Sequence, residues 1–526
     1  MKSTFLSLLS LFAVMTYAFN QTFSLTNQTS IGTYMSDGVG QKSLLLNDGS
    51  YLSAVTTDAG VSGDKTIPSN GSWDSWLIKT DASNQIIWEK AIGGPGYESV
   101  TDIAIDYDGF IYSFGVHDSI VGGNVSVYTN GSDDYFLTKL TSDGTVVWQK
   151  NFGGNGIEQT GKITVLGDTL IMLYGQSNSA IGYDKSEPNY GWMDAWVVAL
   201  DSNGTLLWDK TLGGSESEYA SNIVYNPLHN SLMVFIGSDS PISGNKTVDT
   251  YGYDDIWLVE LDLNGTVLQQ KSYGGTLSDY VRDVSLNFTN DGFFVLGWSN
   301  STPSGNKTSI NYGDLDLWLF EIDENLNIIQ DKSFGGSYID GANGFIKRAN
   351  GELIIYGASL SGISGVKNEA NYGLSDNWIL GVDDNLILQW QKTIGGTNYD
   401  YVNSVIETSH NQFKVFSGSQ SPISGNKTVG TKGNEDLWIF DLYTTASITS
   451  IVDSPISYYP NPVSNMLFFN NIEEQTEVLV FNQMGQLVIK TEVLNSSIET
   501  SSLSSGIYMI QVETEFGTFT EKIIKE

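Results

Sequence analysis

The chain has 526 residues, 60 of them acidic and 25 basic, for a formal net charge of −35. Duplex nucleic acid is recognised by clustered cations, so this balance excludes nucleic acid as a partner. Cysteine is absent, which removes disulfide scaffolds, thiolate metal sites and cysteine nucleophiles, while 56 glycines and 12% aromatic residues suit a turn-rich β protein.

At the N-terminus, Lys2 precedes an apolar run from Phe5 to Val14, and Thr16-Tyr17-Ala18 places small residues at the −3 and −1 positions of a cleavage site. The run is shorter than the roughly 20 residues a membrane span needs, so residues 1–18 read as a secretory signal peptide.

Residues 19–446 are repetitive. Asp-x-Trp/Phe recurs at Asp74, Asp134, Asp194, Asp255, Asp316, Asp376 and Asp436, with spacings of 60 or 61 residues. A glycine precedes each by three positions, and a Gly-Gly pair recurs from Gly93, Gly153, Gly213, Gly274, Gly335 and Gly395. An acidic residue follows that pair at Glu98, Glu158, Glu218, Asp279, Asp340 and Asp400, with Asp37 in the same register upstream.

Each unit reads as four short strands. Around Asp255 these are IWLVELD, TVLQQKSY, YVRDVSLNF and GFFVLGWS, with Asp262–Gly265 and Asn290–Gly292 as hairpin turns. The first strand is apolar on both faces, as in Trp196-Val197-Val198-Ala199-Leu200, and so belongs to a sheet covered on both sides. The fold class is all-β, and the architecture expected is a seven-bladed β-propeller of about 60-residue repeats. An open solenoid is the alternative.

The ends of the repeat favour closure. Leu437–Leu442 is a first strand with no second after it. Phe23–Ile31, Lys42–Leu46 and Tyr51–Val55 stand in second, third and fourth register with no first before them. Together they complete one unit, so the chain ends are expected to pair and close the ring.

Several repeated residues invite a chemical reading. The seven Asp read as structural turn residues, since a short carboxylate beside a glycine accepts backbone N–H bonds. Asp106–Gly109 and related turns lack the spaced ligands of a 12-residue calcium loop. No cofactor and no metal ligand set is assigned, and structural calcium is the one metal these turns leave open. The histidines His117, His229 and His410 share no register, and no catalytic residue is singled out.

The connection before Asp-x-Trp repeats Ser-Gly-Asn-Lys-Thr. Asn245, Lys246, Asn306, Lys307, Asn426 and Lys427 are therefore candidate ligand-binding residues on one polar rim, beside Tyr190, Tyr251, Tyr312 and Tyr372. Fastening adjacent blades is the competing role for these loops. Trp73, Trp192 and Trp298 lie off register, and Phe136, Gln269 and Gln330 replace repeat tryptophans, so symmetry breaks there. The reading favours a secreted or cell-surface binding or adhesion module for carbohydrate or another surface ligand. A propeller lyase or glycosidase acting on polysaccharide, and a purely structural surface protein, are the alternatives.

After a linker at 447–456, residues 457–526 carry Tyr459-Pro460-Asn461-Pro462-Val463, a turn at Asn482–Gly485 and Leu503-x-x-Gly506-x-Tyr508, within short strands that suit a small β-sandwich. These motifs resemble the type A C-terminal sorting domain of the bacterial type IX secretion system, with Pro460, Asn461, Pro462, Gly485, Gly506 and Tyr508 at the motif positions. Asn482 stands where that family often has Asp. The resemblance implies export across both membranes, contact with the secretion machinery and its C-terminal signal peptidase, and release or attachment at the outer surface.

Overall fold

The computed structural model describes residues 21–38, 42–118, 120–167, 169–446, 457–470, 476–482, 487–494, 496–514 and 517–526. The expected signal peptide, the linker at 447–456 and Gly485 lie outside these residues. The chain divides into two compact units, one spanning Phe23–Thr444 and one that includes Thr445–Glu526. The described residues form strands and turns, with no helix among them.

The larger unit is a β-propeller arrangement of seven sheets. Five are four consecutive strands, as in Glu218–Asn226, Ser231–Ser238, Asp255–Asp262 and Val267–Tyr273. Neighbours are antiparallel, with Ser238 opposite both Glu218 and Asp255. The Asp-x-Trp strand is buried along its length because its sheet is covered on both faces. The last strand of each sheet opens to solvent over its first half. Cores form between neighbouring sheets: Tyr174, Val197 and Ala199 pack with Leu232, Val234, Ile236 and Trp257.

The phase of the repeat differs from the expectation. The strands read as one unit around Asp255 fall in two sheets: Asp255–Asp262 and Val267–Tyr273 close one, and Asp279–Leu286 and Gly292–Ser299 open the next. The long Ser-Gly-Asn-Lys connection joins neighbours within a sheet, since Ser299 pairs with Asp316 across it. The Gly-Gly turn carries the chain to the next sheet.

The same phase corrects the terminal unit. Gln21–Ile31 lies beside Asp436–Ala446 in the sheet of Asp400–Ser409 and Gln412–Ser419. Ser43–Leu45 and Tyr51–Thr57 instead join Asp74–Thr80 and Ile86–Ile92. Tyr51, Val55, Trp76 and Ile78 share one core with Phe416, Leu437 and Ile439. Ser43 donates its backbone N–H to Ser404 Oγ at 2.9 Å.

In the C-terminal unit, a three-stranded and a four-stranded sheet share a core that includes Val463, Leu467, Val480, Ile510 and Ile523. Asn461 Oδ1 accepts the Ile524 N–H at 2.8 Å, and the Val463 N–H donates to Ile524 O at 2.7 Å. The Pro460-Asn461-Pro462 segment is thereby tied to the last strand. Gly506 opens Gly506–Thr514, and Tyr508 donates its hydroxyl to Ser504 O at 3.0 Å.

Candidate functional site

The repeated carboxylates face inward. Each Asp of Asp-x-Trp accepts the backbone N–H four residues upstream: Asn70 to Asp74 at 2.6 Å, Asn130 to Asp134 at 2.5 Å, Tyr190 to Asp194 at 2.5 Å and Lys432 to Asp436 at 2.9 Å, with Tyr251, Tyr312 and Tyr372 serving Asp255, Asp316 and Asp376. The acidic residue after Gly-Gly accepts the second glycine's N–H, as Gly214 to Glu218 at 2.9 Å and Gly396 to Asp400 at 2.7 Å. Asp194 and Glu218, like Asp255 and Asp279, thus meet as buried acid pairs. Burial pushes the Asp255 carboxyl up to about 7, and the neighbouring Asp279 charge adds to the rise.

In five sheets a buried lysine lies over the repeat tryptophan, near the acidic residues. Lys246 Nζ donates to Ser238 Oγ at 2.9 Å and Ser240 O at 2.6 Å, and lies 5.6 Å from the centre of the Trp257 ring. Lys307 donates to Ser309 O and Ser333 Oγ, and Lys427 to Ser421 O and Ser419 Oγ. The three lysines are only 1–2% exposed, so the expected ligand-facing role does not match their placement. Asn245 accepts the Gly213 N–H and donates to Thr211 O at 2.7 Å; Asn306 and Asn426 repeat this with Gly274 and Ser272, and with Gly395 and Thr393. The carboxylates accept backbone N–H groups, the lysines donate to serine hydroxyl and carbonyl oxygens, and Trp257 Nε1 donates to Gln270, which is how so polar a motif is internal.

One sheet omits this set as a block. Phe136 replaces the tryptophan, Val125 the lysine, and His117 the Ser or Thr that closes the neighbouring strand. His117 packs tilted against Phe136, ring centres 4.6 Å apart, and its Nε2 meets Asn151 Oδ1 at 2.6 Å. Burial lowers the His117 pKa. His229 pairs with Glu260 at 2.9 Å, and His410 is an exposed turn residue. Among the described residues, no group of three or more His, Asp or Glu is placed to hold a metal ion. Asp106 accepts the Phe110 N–H and the Tyr112 hydroxyl in its hairpin.

Two concave sites break the symmetry. The first is an open groove of about 560 Å3 whose lining includes Asn155, Asn178, Asn189, Tyr190 and Trp192. Trp192 is 76% exposed at a position held by Ser72 and Ser132 in preceding repeats. Its backbone N–H is held by Glu216 O at 3.0 Å. Asn155 and Asn178 accept the Ala180 and Ile157 N–H groups, leaving both side-chain NH2 groups without a protein acceptor among the described residues. Asn189 Oδ1 is buried and has no hydrogen-bond donor among the described residues.

The second is a cavity of about 750 Å3 whose lining draws on all seven sheets. In six of the lining strands the ladder slips by one residue in the same register, which sets Thr101, Gly161, Ser221, Arg282, Asn343 and Asn403 at bulges that line the cavity. A bulge re-aims its side chain, and bulges cluster at functional sites. The next position staples neighbours: Asp102 Oδ2 accepts the Ile163 N–H, and Asp283 Oδ2 the Phe345 N–H, both at 3.1 Å. Sequence reasoning missed this ring.

Residues 457–526 match the family of secretion system C-terminal sorting domains. The chain carries a type IX sorting domain and is secreted or attached to the outer-membrane surface. It is 26% identical over 199 residues to the regulatory protein FlaEY of Caulobacter vibrioides, a match covering 35% of this chain and 21% of that protein. The chain thus spans about a fifth of that relative's length. Among solved structures, PorZ, a surface component of the type-IX secretion system of Porphyromonas gingivalis, aligns at 11% identity and TM-score 0.36, over 91% of this chain and 58% of that one. The Dos1 propeller aligns at 11% identity and TM-score 0.42, over 80% and 96%.

Proposed function

We propose that the exported chain is a surface-displayed binding module whose seven sheets close into a ring and whose groove at Trp192 takes a carbohydrate. Closure is supported by the N-terminal strand beside Asp436–Ala446 and by the core shared between first and last sheets. The observation that carries the ligand class is the exposed Trp192 ring beside Tyr190, among amide groups with unspent donors and a buried unpaired acceptor. An aromatic face stacks on sugar C–H surfaces while amides hydrogen-bond to hydroxyls. Binding is favoured over hydrolysis because no Asp, Glu or His is among the residues lining this groove, whereas glycosidases use a carboxyl pair.

A glycan array on the secreted protein, followed by titration of any retained glycan, tests the reading. Trp192→Ala should weaken binding at least ~10-fold with an unchanged melting temperature, in line with the loss of a central aromatic anchor. Retention of full affinity by Trp192→Ala would remove the groove from the proposal, and turnover of the glycan would replace the module with an enzyme.

A further inference from the structure

The central cavity is electrostatically at odds with the rest of the chain. In a protein of net charge −35, three cations reach its wall: Lys42, Lys162 and Arg282. Arg282 is one of only two arginines. Two carboxylates are present, and both are engaged. Asp102 is paired with Lys42 at 3.3 Å and accepts two backbone N–H groups. Asp283 accepts the Val284 and Phe345 N–H groups and the Asn222 side-chain amide at 2.9, 3.1 and 3.2 Å.

Lys162 and Arg282 are the unspent charges. Neither has a carboxylate within ion-pair distance among the described residues, although Asp283 is near enough to Lys162 to feel its charge. The Arg282 guanidinium lies 3.9 Å over the Trp298 ring, whose Nε1 is committed to Ala342 O at 2.8 Å. Stacking leaves the edge of the guanidinium fork, with its N–H donors, open to the cavity. Arg282 is exposed to the cavity, yet its desolvated surroundings push its pKa below the ordinary value, so it gains from an anion more than a surface arginine would. Asn403 Nδ2, from another bulge, has no hydrogen-bond acceptor among the described residues.

We propose that the central cavity binds a small hydroxylated anion, of the class of sugar acids, whose carboxylate is taken by Arg282 and Lys162 and whose hydroxyls meet the amide and hydroxyl groups of the bulge ring. The planar fork of arginine matches a carboxylate through two parallel N–H donors. The bulge residue changes around the ring, from Thr101 and Ser221 to Arg282 and Asn403, while a buried apolar residue recurs two positions on, as at Ile103, Ile223, Val284 and Val405, which is the pattern of a site shaped for one asymmetric ligand. A volume of about 750 Å3 falls in the ordinary range for small-molecule sites.

Equilibrium titration of the secreted protein with D-glucuronate, D-glucose and inorganic sulfate tests the proposal. Glucuronate should bind, and both Arg282→Gln and Lys162→Gln should weaken it at least ~10-fold, as expected for loss of a charged hydrogen bond. Trp192→Ala should leave it unchanged, which separates this cavity from the rim groove. Equal binding of glucose would overturn the charge assignment, and sulfate binding as tight as glucuronate would overturn the hydroxylated class. Full affinity in both charge variants, or no binding of glucuronate by a folded protein, would end the proposal.

Discussion

Asp376 and Asp400 bring carboxyl oxygens to within 2.0 and 2.9 Å of the point where a Cβ on Gly395 would stand. The first glycine of the Gly-Gly pair is thus fixed by the acid pair it touches. Gly335 repeats the contact, with Asp316 Oδ1 1.9 Å from such a Cβ. Gly395→Ala should cost ~1–3 kcal/mol, the usual range for overpacking, because both carboxyl groups are short and already bonded. Gly362, where an added Cβ meets nothing within 4 Å, is the control. Equal urea midpoints for Gly395→Ala and Gly362→Ala would refute the contact.

The acid pairs set a pH dependence. Burial holds Asp255 at about 7, and Asp316 and Asp376 at about 6. An unfolded Asp titrates near ~4. The folded chain therefore binds more protons between these values, and stability falls as pH rises from about 4 to 7. Lys367 and Lys427, pushed down to about 8 by burial, act oppositely. The unfolded chain then holds more protons between about 8 and 10.5, so stability recovers over that window. Urea midpoints measured across pH should pass through a minimum near pH 7–8, and Asp255→Asn should flatten the lower limb. A midpoint that rises between pH 4 and 7 would contradict this sign.

Much of this was legible as pattern. The period, the doubly apolar strand at Trp196–Leu200 and the glycine positions all follow from local chemistry. The phase of the sheets was not, because a long connection and a short turn do not say which joins neighbours and which crosses over. The direction of Lys246 was also hidden: a lysine in a Ser/Asn/Thr loop reads as solvated until the Trp257 ring and two oxygens are seen around it. Arg282 and Asn403 escaped notice because a bulge has no composition signal, and Trp192 was noticed only as an exception.

The lysine and tryptophan of each repeat should be energetically coupled. Lys246 Nζ lies 5.6 Å from the Trp257 ring, and the one sheet with Phe136 in that place has Val125 instead of a lysine. Lys246→Val and Trp257→Phe should each destabilise, and the double variant should lose less than their sum, by roughly 0.5–2 kcal/mol. Strict additivity would show that the joint change at Phe136 and Val125 has another cause.

Export should depend on the last strands. Tyr508 and Ile510 belong to the core of the C-terminal unit, and the last strand receives Asn461. Deleting Gly506–Glu526 should keep the protein in the periplasm, read by protease accessibility on intact cells. Surface display of the truncated chain would show that the sorting signal lies elsewhere.

The N-terminal strand should hold the ring shut. Gln21–Ile31 occupies the outer position beside Asp436–Ala446, with Ser30 Oγ donating to Asp436 Oδ2 at 2.7 Å and Lys432 Nζ to Ser30 O at 2.7 Å. Removing it exposes the backbone edge of Asp436–Ala446 and uncovers Ile31's share of the core between first and last sheets. Burying a side chain such as Ile is worth ~1.5–3 kcal/mol, and the lost ladder adds to that. A chain lacking Gln21–Ile31 should therefore unfold several kcal/mol more easily, a large share of the ~5–15 kcal/mol of an ordinary domain. It should also self-associate through the bare edge, detectable by light scattering, and a synthetic peptide of Gln21–Ile31 should restore the melting temperature. An unchanged transition in the truncated chain would mean that the sheets are not joined through this strand.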